Sequence, residues 1–253
     1  MKYLLLIGLG IGFLLGAILI PAIIAVAFRK GFLDKPNDRK IHMSEIPRLG
    51  GTCFFPICLV VGALMISLGY KITTTKILLI FHASGIKILY GMVGAMVLFC
   101  FGLLDDLWGL RYRNKFIGQM LAGLLLCVGG VWLKDLHGIF GLHELPQWIG
   151  WPITIFAIVF VTNAINFIDG IDGLASSICF GTLAYYCYVS YTLTNYDIAI
   201  VSVSVMGPLL AFMCFNLLGS ARRHTKIFMG DTGSLFLGYF IYTQGIIVSQ
   251  MVS

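Results

Sequence analysis

Eight stretches of this sequence run for close to the length of a lipid bilayer with almost no charge, and this constrains the fold more than any other feature. They cover residues 3–28, 52–70, 88–104, 116–133, 152–168, 174–193, 198–218 and 235–251. Crossing the hydrocarbon core takes about 20 mostly apolar residues, and in lipid each such segment must be a helix, because only a helix satisfies its own backbone polar groups. Composition leads the same way. Hydrophobic residues make up 59% of the chain and charged residues 11%, against roughly 25% charged in an ordinary globular protein. So few charges cannot cover so apolar a core in water. The expected fold class is all-α: a polytopic integral membrane protein of about eight transmembrane helices, forming one membrane-embedded domain over 1–253. The stretch 71–87 contains only a short apolar run, 77–81, and reads as an interfacial piece. The first span is too long for a signal peptide and is followed by Arg29-Lys30, so it reads as an anchor despite the cleavage-like Ala25-Val26-Ala27. The seven cysteines lie in or beside apolar runs with no CxxC spacing. They read as small core residues, not disulfides or metal ligands.

Charge is distributed unevenly between the two faces. The segments after the first, third, fifth and seventh spans hold 12 of the 17 Lys and Arg residues. The positive-inside rule places these loops in the cytoplasm and the N-terminus outside. The same loops carry 8 of the 11 acidic residues: Asp34, Asp38, Glu45, Asp105, Asp106, Asp169, Asp172 and Asp231. Positive charge alone would be an orientation signal. Both signs gathered on one face of a lipid-embedded protein suggest a polar site there, in catalytic loops on the cytoplasmic face.

Four of these segments hold side chains suited to chemistry. The first offers Lys35, Arg39, Lys40, His42 and Arg48, either as partners for phosphate or as a basic anchor at anionic headgroups. The second opens on Asp105-Asp106 after an apolar helix, where each carboxylate is repelled by its neighbour and by the helix dipole. That placement suits a Mg²⁺ site or a proton acceptor. Lys115 and Gln119 follow on one helical face; Lys115 could reach a phosphate or simply snorkel. In the third, Asn163, Asn166, Asp169 and Asp172 recur every three residues between two apolar spans, with two Asp-Gly steps. Capping accounts for Asp172 alone, not for four polar groups. The fourth holds Asn216, Arg222-Arg223-His224-Thr225-Lys226 and Gly230-Asp231-Thr232-Gly233-Ser234 leading into the last span. It could bind phosphate or metal at a helix N-terminus, or could cap that helix. The inventory of carboxylates, amides and cations, without a Cys or His cluster, is that of a hard metal and phosphate. The class it suggests is Mg²⁺-dependent transfer of a phosphate-bearing group at the cytoplasmic membrane face.

Four motifs in order, DKPNDRKIH…IPRLGG, DD followed by Lys115, NAINFIDGIDGL and FMGDTGSL, make the chain resemble the polyprenyl-phosphate N-acetylhexosamine-1-phosphate transferases (glycosyltransferase family 4). These are relatives of phospho-N-acetylmuramoyl-pentapeptide transferase. The first motif, with Pro36-Asn37, Arg39-Lys40 and His42, resembles the branch that uses UDP-N-acetylglucosamine. The resemblance implies transfer of N-acetylglucosamine 1-phosphate from UDP to undecaprenyl phosphate, with release of UMP and dependence on Mg²⁺ or Mn²⁺. It implies metal binding by Asp231 and Asn166. Asp105 and Asp106 match an aspartate pair assigned to metal binding or to deprotonating the lipid phosphate, and Lys115 a phosphate-contacting lysine. Asn163, Asp169, Asp172, Asn216, Arg39, Lys40 and His42 match substrate positions. The implied partners are undecaprenyl phosphate, UDP-N-acetylglucosamine and the lipid bilayer, with no nucleic acid and with a homodimer left open. The implied location is the bacterial inner membrane.

One departure stands out. The family usually continues through two more spans and a loop with a His-rich motif. This sequence stops after its eighth span, and His42, His82, His137, His143 and His224 form no such motif. The expectation is a C-terminally truncated relative, and an inactive or purely lipid- or nucleotide-sugar-binding protein is the alternative. Two other membrane enzyme classes fit less well. No Arg follows Asp169-Gly170 as a CDP-alcohol phosphotransferase would require, and the Asn/Asp spacing is three rather than the four of an aromatic prenyltransferase.

Overall fold

The computed structural model describes residues 1–34, 45–72, 76–136, 138 and 143–252. Eight long helices account for most of them: α1 (Lys2–Lys30), α2 (Phe54–Ile72), α3 (Lys76–Trp108), α4 (Tyr112–Val128), α5 (Gln147–Ile168), α6 (Leu174–Thr192), α7 (Tyr196–Leu217) and α8 (Gly230–Val252). Extended pairing among the described residues is slight: a two-residue antiparallel pair, β1 (Leu33–Asp34) with β2 (Ile46–Pro47), and an isolated bridge between Asp135 and Glu144.

Five of the helices are long and apolar enough to cross a membrane: α1, α2, α3, α5 and α7. The other three fall short for physical reasons. Helix α4 has only 17 residues, and α6 is interrupted by Ser, Thr and Tyr. Helix α8 is buried without a break from Gly230 to Ile241. A helix enclosed by protein needs no lipid-facing apolar surface and can carry Asp231, Thr232, Ser234, Thr243 and Gln244. One expectation is corrected. Residues 76–87 are not a separate interfacial piece but the first turns of α3, whose 33 residues run on through Gly85. At ~1.5 Å per residue such a helix reaches about 50 Å, more than the ~30 Å of hydrocarbon, so it tilts or projects beyond the bilayer.

Helix α7 is the centre of one half of the bundle. Every residue from Asp197 to Leu209 is buried, and α1, α2 and α6 pack around it. On α1 the buried face includes Gly8, Gly12 and Gly16 at helical spacing. A Cβ on Gly12 would lie 3.2 Å from the Gly207 Cα, so the glycines let the two backbones approach closely. Helix α8 has the same role in the other half, packed against α3, α5 and α6, with α4 joining α3 to α5. One buried apolar cluster, with Phe54, Leu98, Leu126, Ile158, Leu183, Phe212 and Phe236 among its members, runs through both halves. The alternating directions of the helices bring the C-terminal ends of α3, α5 and α7 and the N-terminal ends of α4 and α8 to one end of the bundle.

Candidate functional site

At that end, backbone pairing ties the segment before α2 to the segment before α8. Phe228 donates its N–H to Pro47 O at 2.8 Å, Gly50 to Phe228 O at 2.9 Å and Gly51 to Met229 O at 2.8 Å. Gly51 and Gly233 lie backbone to backbone; a Cβ on either would overlap the other. Gly230, the first residue of α8, has φ +77°, and a Cβ there would strike Arg48 O and the Asp106 carboxylate. Only glycine fits both the backbone conformation and the space.

The first turn of α8 has its cap supplied from another helix. The Asp106 carboxylate, in the last turn of α3, accepts the N–H of Asp231 at 2.8 Å, the N–H of Thr232 at 2.9 Å and the Thr232 hydroxyl at 2.6 Å. Three donors on one carboxylate, two of them from the positive end of a helix, make Asp106 an N-cap in trans. Its neighbour Asp105 faces the other way. Asp105 Oδ1 accepts the Leu110 N–H at 2.6 Å, which folds the α3–α4 turn around it, and Oδ2 pairs with Lys115.

Lys115, at the start of α4, joins the two helices' carboxylates. Its ammonium pairs with Asp105 and donates to Asp231 Oδ1 at 2.7 Å. Asn166 Nδ2, from the last turn of α5, donates to the same Asp231 oxygen at 2.6 Å and to Ser234 Oγ at 2.8 Å. Arg48 reaches Asp231 Oδ2 at 3.5 Å from the solvent side. Asp231, only 8% exposed, is therefore approached by donors from three other segments.

Beside this cluster the α5–α6 turn carries two acids with different surroundings. Asp169 is half-buried, and no side-chain hydrogen bond engages it among the described residues. Burial first, and then the charges of Asp231 and Asp106, push its carboxyl up to about 8, with Arg48 pulling the other way. Asp172 is engaged: Lys226 donates to its Oδ2 at 2.5 Å and Asn216 to its Oδ1 at 3.4 Å. Asn216 also accepts the Gly173 N–H at 2.8 Å and donates to Ile227 O at 3.0 Å, fastening the turn to the segment before α8.

The expected residues thus fall into three groups. Asp105, Asp106, Lys115, Asn166 and Asp231 come together, with Asp169 at the edge. Asp172 and Asn216 form a separate tie alongside. Asn163 does not join the carboxylates: its amide exchanges hydrogen bonds with Gln119, which is fully buried, at 2.9 and 3.3 Å. Arg39, Lys40 and His42 lie outside the described residues. Sequence reasoning left out of its site the Lys226 partner of Asp172 and the contacts of Thr232 and Ser234. The one available signal was a Gly-Asp-Thr-Gly-Ser helix start with its own polar side chains turned to other tasks.

The donor set suits a hard divalent cation. Asp231, Asp105 and Ser234 offer oxygens, and the Asn166 carboxamide offers Oδ1 once turned over, a change between nearly isosteric ends. No group of three His, Cys, Asp or Glu side chains suited to a metal occurs among the described residues. Mg²⁺ does not need one, since it is commonly held by one or two carboxylates together with waters and phosphate oxygens.

Comparison with known proteins gives a consistent picture. The sequence pattern of glycosyl transferase family 4 matches residues 88–249. A probable undecaprenyl-phosphate N-acetylglucosaminyl 1-phosphate transferase of Bacillus subtilis is 33% identical over 226 residues, 88% of this chain and 57% of the relative. A decaprenyl-phosphate N-acetylglucosaminephosphotransferase of Mycobacterium tuberculosis is 31% identical, over 85% of this chain and 53% of the relative. A phospho-N-acetylmuramoyl-pentapeptide-transferase of Enterococcus faecalis is 33% identical, over 81% and 62%. The chain therefore spans little more than half the length of these relatives. With the pattern covering most of the chain and its residues gathered at one end of a membrane bundle, this protein belongs to glycosyl transferase family 4.

Proposed function

We propose that this chain transfers N-acetylglucosamine 1-phosphate, or a related N-acetylhexosamine 1-phosphate, from its UDP donor to undecaprenyl phosphate, releasing UMP. The observation that carries this reading is the Asp105–Lys115–Asp231–Asn166 cluster at the ends of four helices in a membrane bundle. There a lipid phosphate and a water-soluble nucleotide can meet. The names of the relatives supply the substrate class.

In this reading an oxygen of the lipid phosphate attacks the donor β-phosphorus and UMP leaves. Asp231 and Asp105, with Asn166 Oδ1, would hold Mg²⁺ or Mn²⁺, which supplies charge neutralisation at the pyrophosphate. Lys115 and Arg48 bring further positive charge to the same oxygens. Asp106 holds the first turn of α8, and so Asp231, in place. Asp169, whose carboxyl is pushed up to about 8 and so keeps its proton at neutral pH, lies at the edge of the cluster, where it can donate a hydrogen bond to an arriving phosphate. The Asp172–Asn216 tie shapes the adjoining surface for the nucleotide. The protein's part is mostly to position the reactants and stabilise charge. We further place the chain in the bacterial inner membrane with this end in the cytoplasm, supported by its 12 of 17 basic residues in the loops on that side.

The test uses the chain purified in detergent with radiolabelled UDP-N-acetylglucosamine, undecaprenyl phosphate and Mg²⁺. The expected result is label in the extracted lipid, UMP in equal amount, and loss of both with EDTA. Folded protein that gives no label with any UDP-N-acetylhexosamine would overturn the reading.

A further inference from the structure

Two carboxylates on different helices, Asp105 and Asp231, converge on one ammonium. Like charges brought this close are stabilised by a proton or a cation between them, and here an ammonium of the protein lies between them. Lys115 occupies the position that a divalent ion held by the same two carboxylates would take. Asp231 Oδ1 is doubly used, receiving Lys115 at 2.7 Å and the Asn166 amide at 2.6 Å. An ion approaching that oxygen competes with both N–H donors. The Lys115 side chain is 22% exposed, compared with 7% for Asp105 and 11% for Asp231. It is the most exposed of the three and sits on a flexible four-carbon stem.

We infer that Lys115 is the resident counter-cation of the Asp105–Asp231 pair, that a divalent ion binds by displacing it, and that displacement frees its ammonium for a phosphate oxygen. This rests on the metal reading given above and deepens it. Lysine and metal compete for the same oxygens, so the lysine reaches a phosphate only once the site is charged with metal. An enzyme built this way binds metal before it grips the pyrophosphate, and its unloaded carboxylate pair stays partly neutralised by Lys115.

Mn²⁺ binding to the detergent-solubilised chain, followed by loss of the free-ion EPR signal and without any substrate, tests the competition directly. Lys115→Met should bind Mn²⁺ about tenfold more tightly than the wild type, the scale of one lost charge-assisted contact. Lys115→Arg should bind no more tightly than the wild type, and Asp231→Asn should not bind. A second measurement uses the wild-type chain alone, so it does not depend on how the variants fold. Acetylation of Lys115 by a water-soluble ester, read by peptide mass spectrometry, should rise severalfold when Mg²⁺ is added. Equal Mn²⁺ affinity in wild type and Lys115→Met, with binding lost in Asp231→Asn, would overturn the inference and leave the metal reading standing. So would Lys115 labelling that does not rise with Mg²⁺ in protein that binds Mn²⁺. Absence of Mn²⁺ binding in both wild type and Lys115→Met would overturn both.

Discussion

The Thr232 hydroxyl donates to Asp106 Oδ2 at 2.6 Å, joining the first turn of α8 to the last turn of α3 across 126 residues of sequence. Together with the two backbone N–H groups on the same carboxylate, it makes Asp106 the cap of a helix it does not belong to. Asp106→Ala should lower the unfolding free energy in detergent by about 1–2 kcal/mol, the cost of a lost N-cap. Thr232→Val, which leaves both N–H bonds, should cost less. Thermal or denaturant unfolding of the two variants measures this, and an Asp106→Ala protein as stable as the wild type would remove the capping role.

Asp231 stands at the meeting point of Lys115, Asn166 and Arg48. Asp231→Asn should insert and fold, yet lose turnover entirely in the radiolabel assay. Near-normal activity in that variant would rule out the metal assignment.

The Asn163–Gln119 exchange is a test of structure rather than chemistry. Replacing Asn163 by Leu strands the buried Gln119 amide, at a cost of about 1–3 kcal/mol; replacing Gln119 should cost less, because Asn163 keeps its bond to Val159 O. The double Leu replacement should recover much of this loss. A double-mutant cycle on thermal stability gives the coupling, expected near 1 kcal/mol for an interhelical pair of this kind. Coupling indistinguishable from zero would mean that the two amides act independently.

Asp169 gives a pH dependence with a definite sign. Its carboxyl titrates near 8 in the folded chain, against about 3.9 when unfolded. Between those values the folded state holds the extra proton, so this group's contribution to stability falls as pH rises from about 4 to 8 and levels off above. Asp169→Asn removes the effect. In metal-free protein the variant's melting temperature should match the wild type at or below about pH 4 and exceed it increasingly towards pH 8. A gap that shrinks with rising pH would contradict this account.

Cys127 and Cys179 are buried and free. Their replacement by Ala should leave turnover unchanged and cost at most about 1 kcal/mol of stability, as for a small core truncation. Loss of activity in well-folded Cys127→Ala or Cys179→Ala protein would show that a thiol matters to the site.

The helices were legible because apolar length is a strong local signal. Where it misled, at residues 76–87, the fault was in demanding that each piece span by itself; these residues are the first turns of α3, one helix longer than the bilayer. The site was legible in its membership and less so in its pairing. Asn163 and Asn166 share a face, as their spacing requires, yet one meets Gln119 on α4 and the other Asp231 on α8. Which neighbour lies opposite is decided by helix packing, not by spacing. Asp105 and Asp106 are adjacent carboxylates that the sequence treats as a pair. A single residue step along a helix turns one towards Lys115 and the other towards the backbone of α8. Nothing near residue 106 in the chain announces a partner found 125 residues later.

The contact between Asp105 and Lys115 spans only the turn between α3 and α4. During synthesis this hairpin can enter the membrane with its first carboxylate already neutralised, while α8 is still untranslated. Among the described residues the hydrogen-bond partners of Asp106 all lie at the start of α8. The two neighbouring carboxylates thus close loops of very different length: one across a single turn, the other across 126 residues of chain.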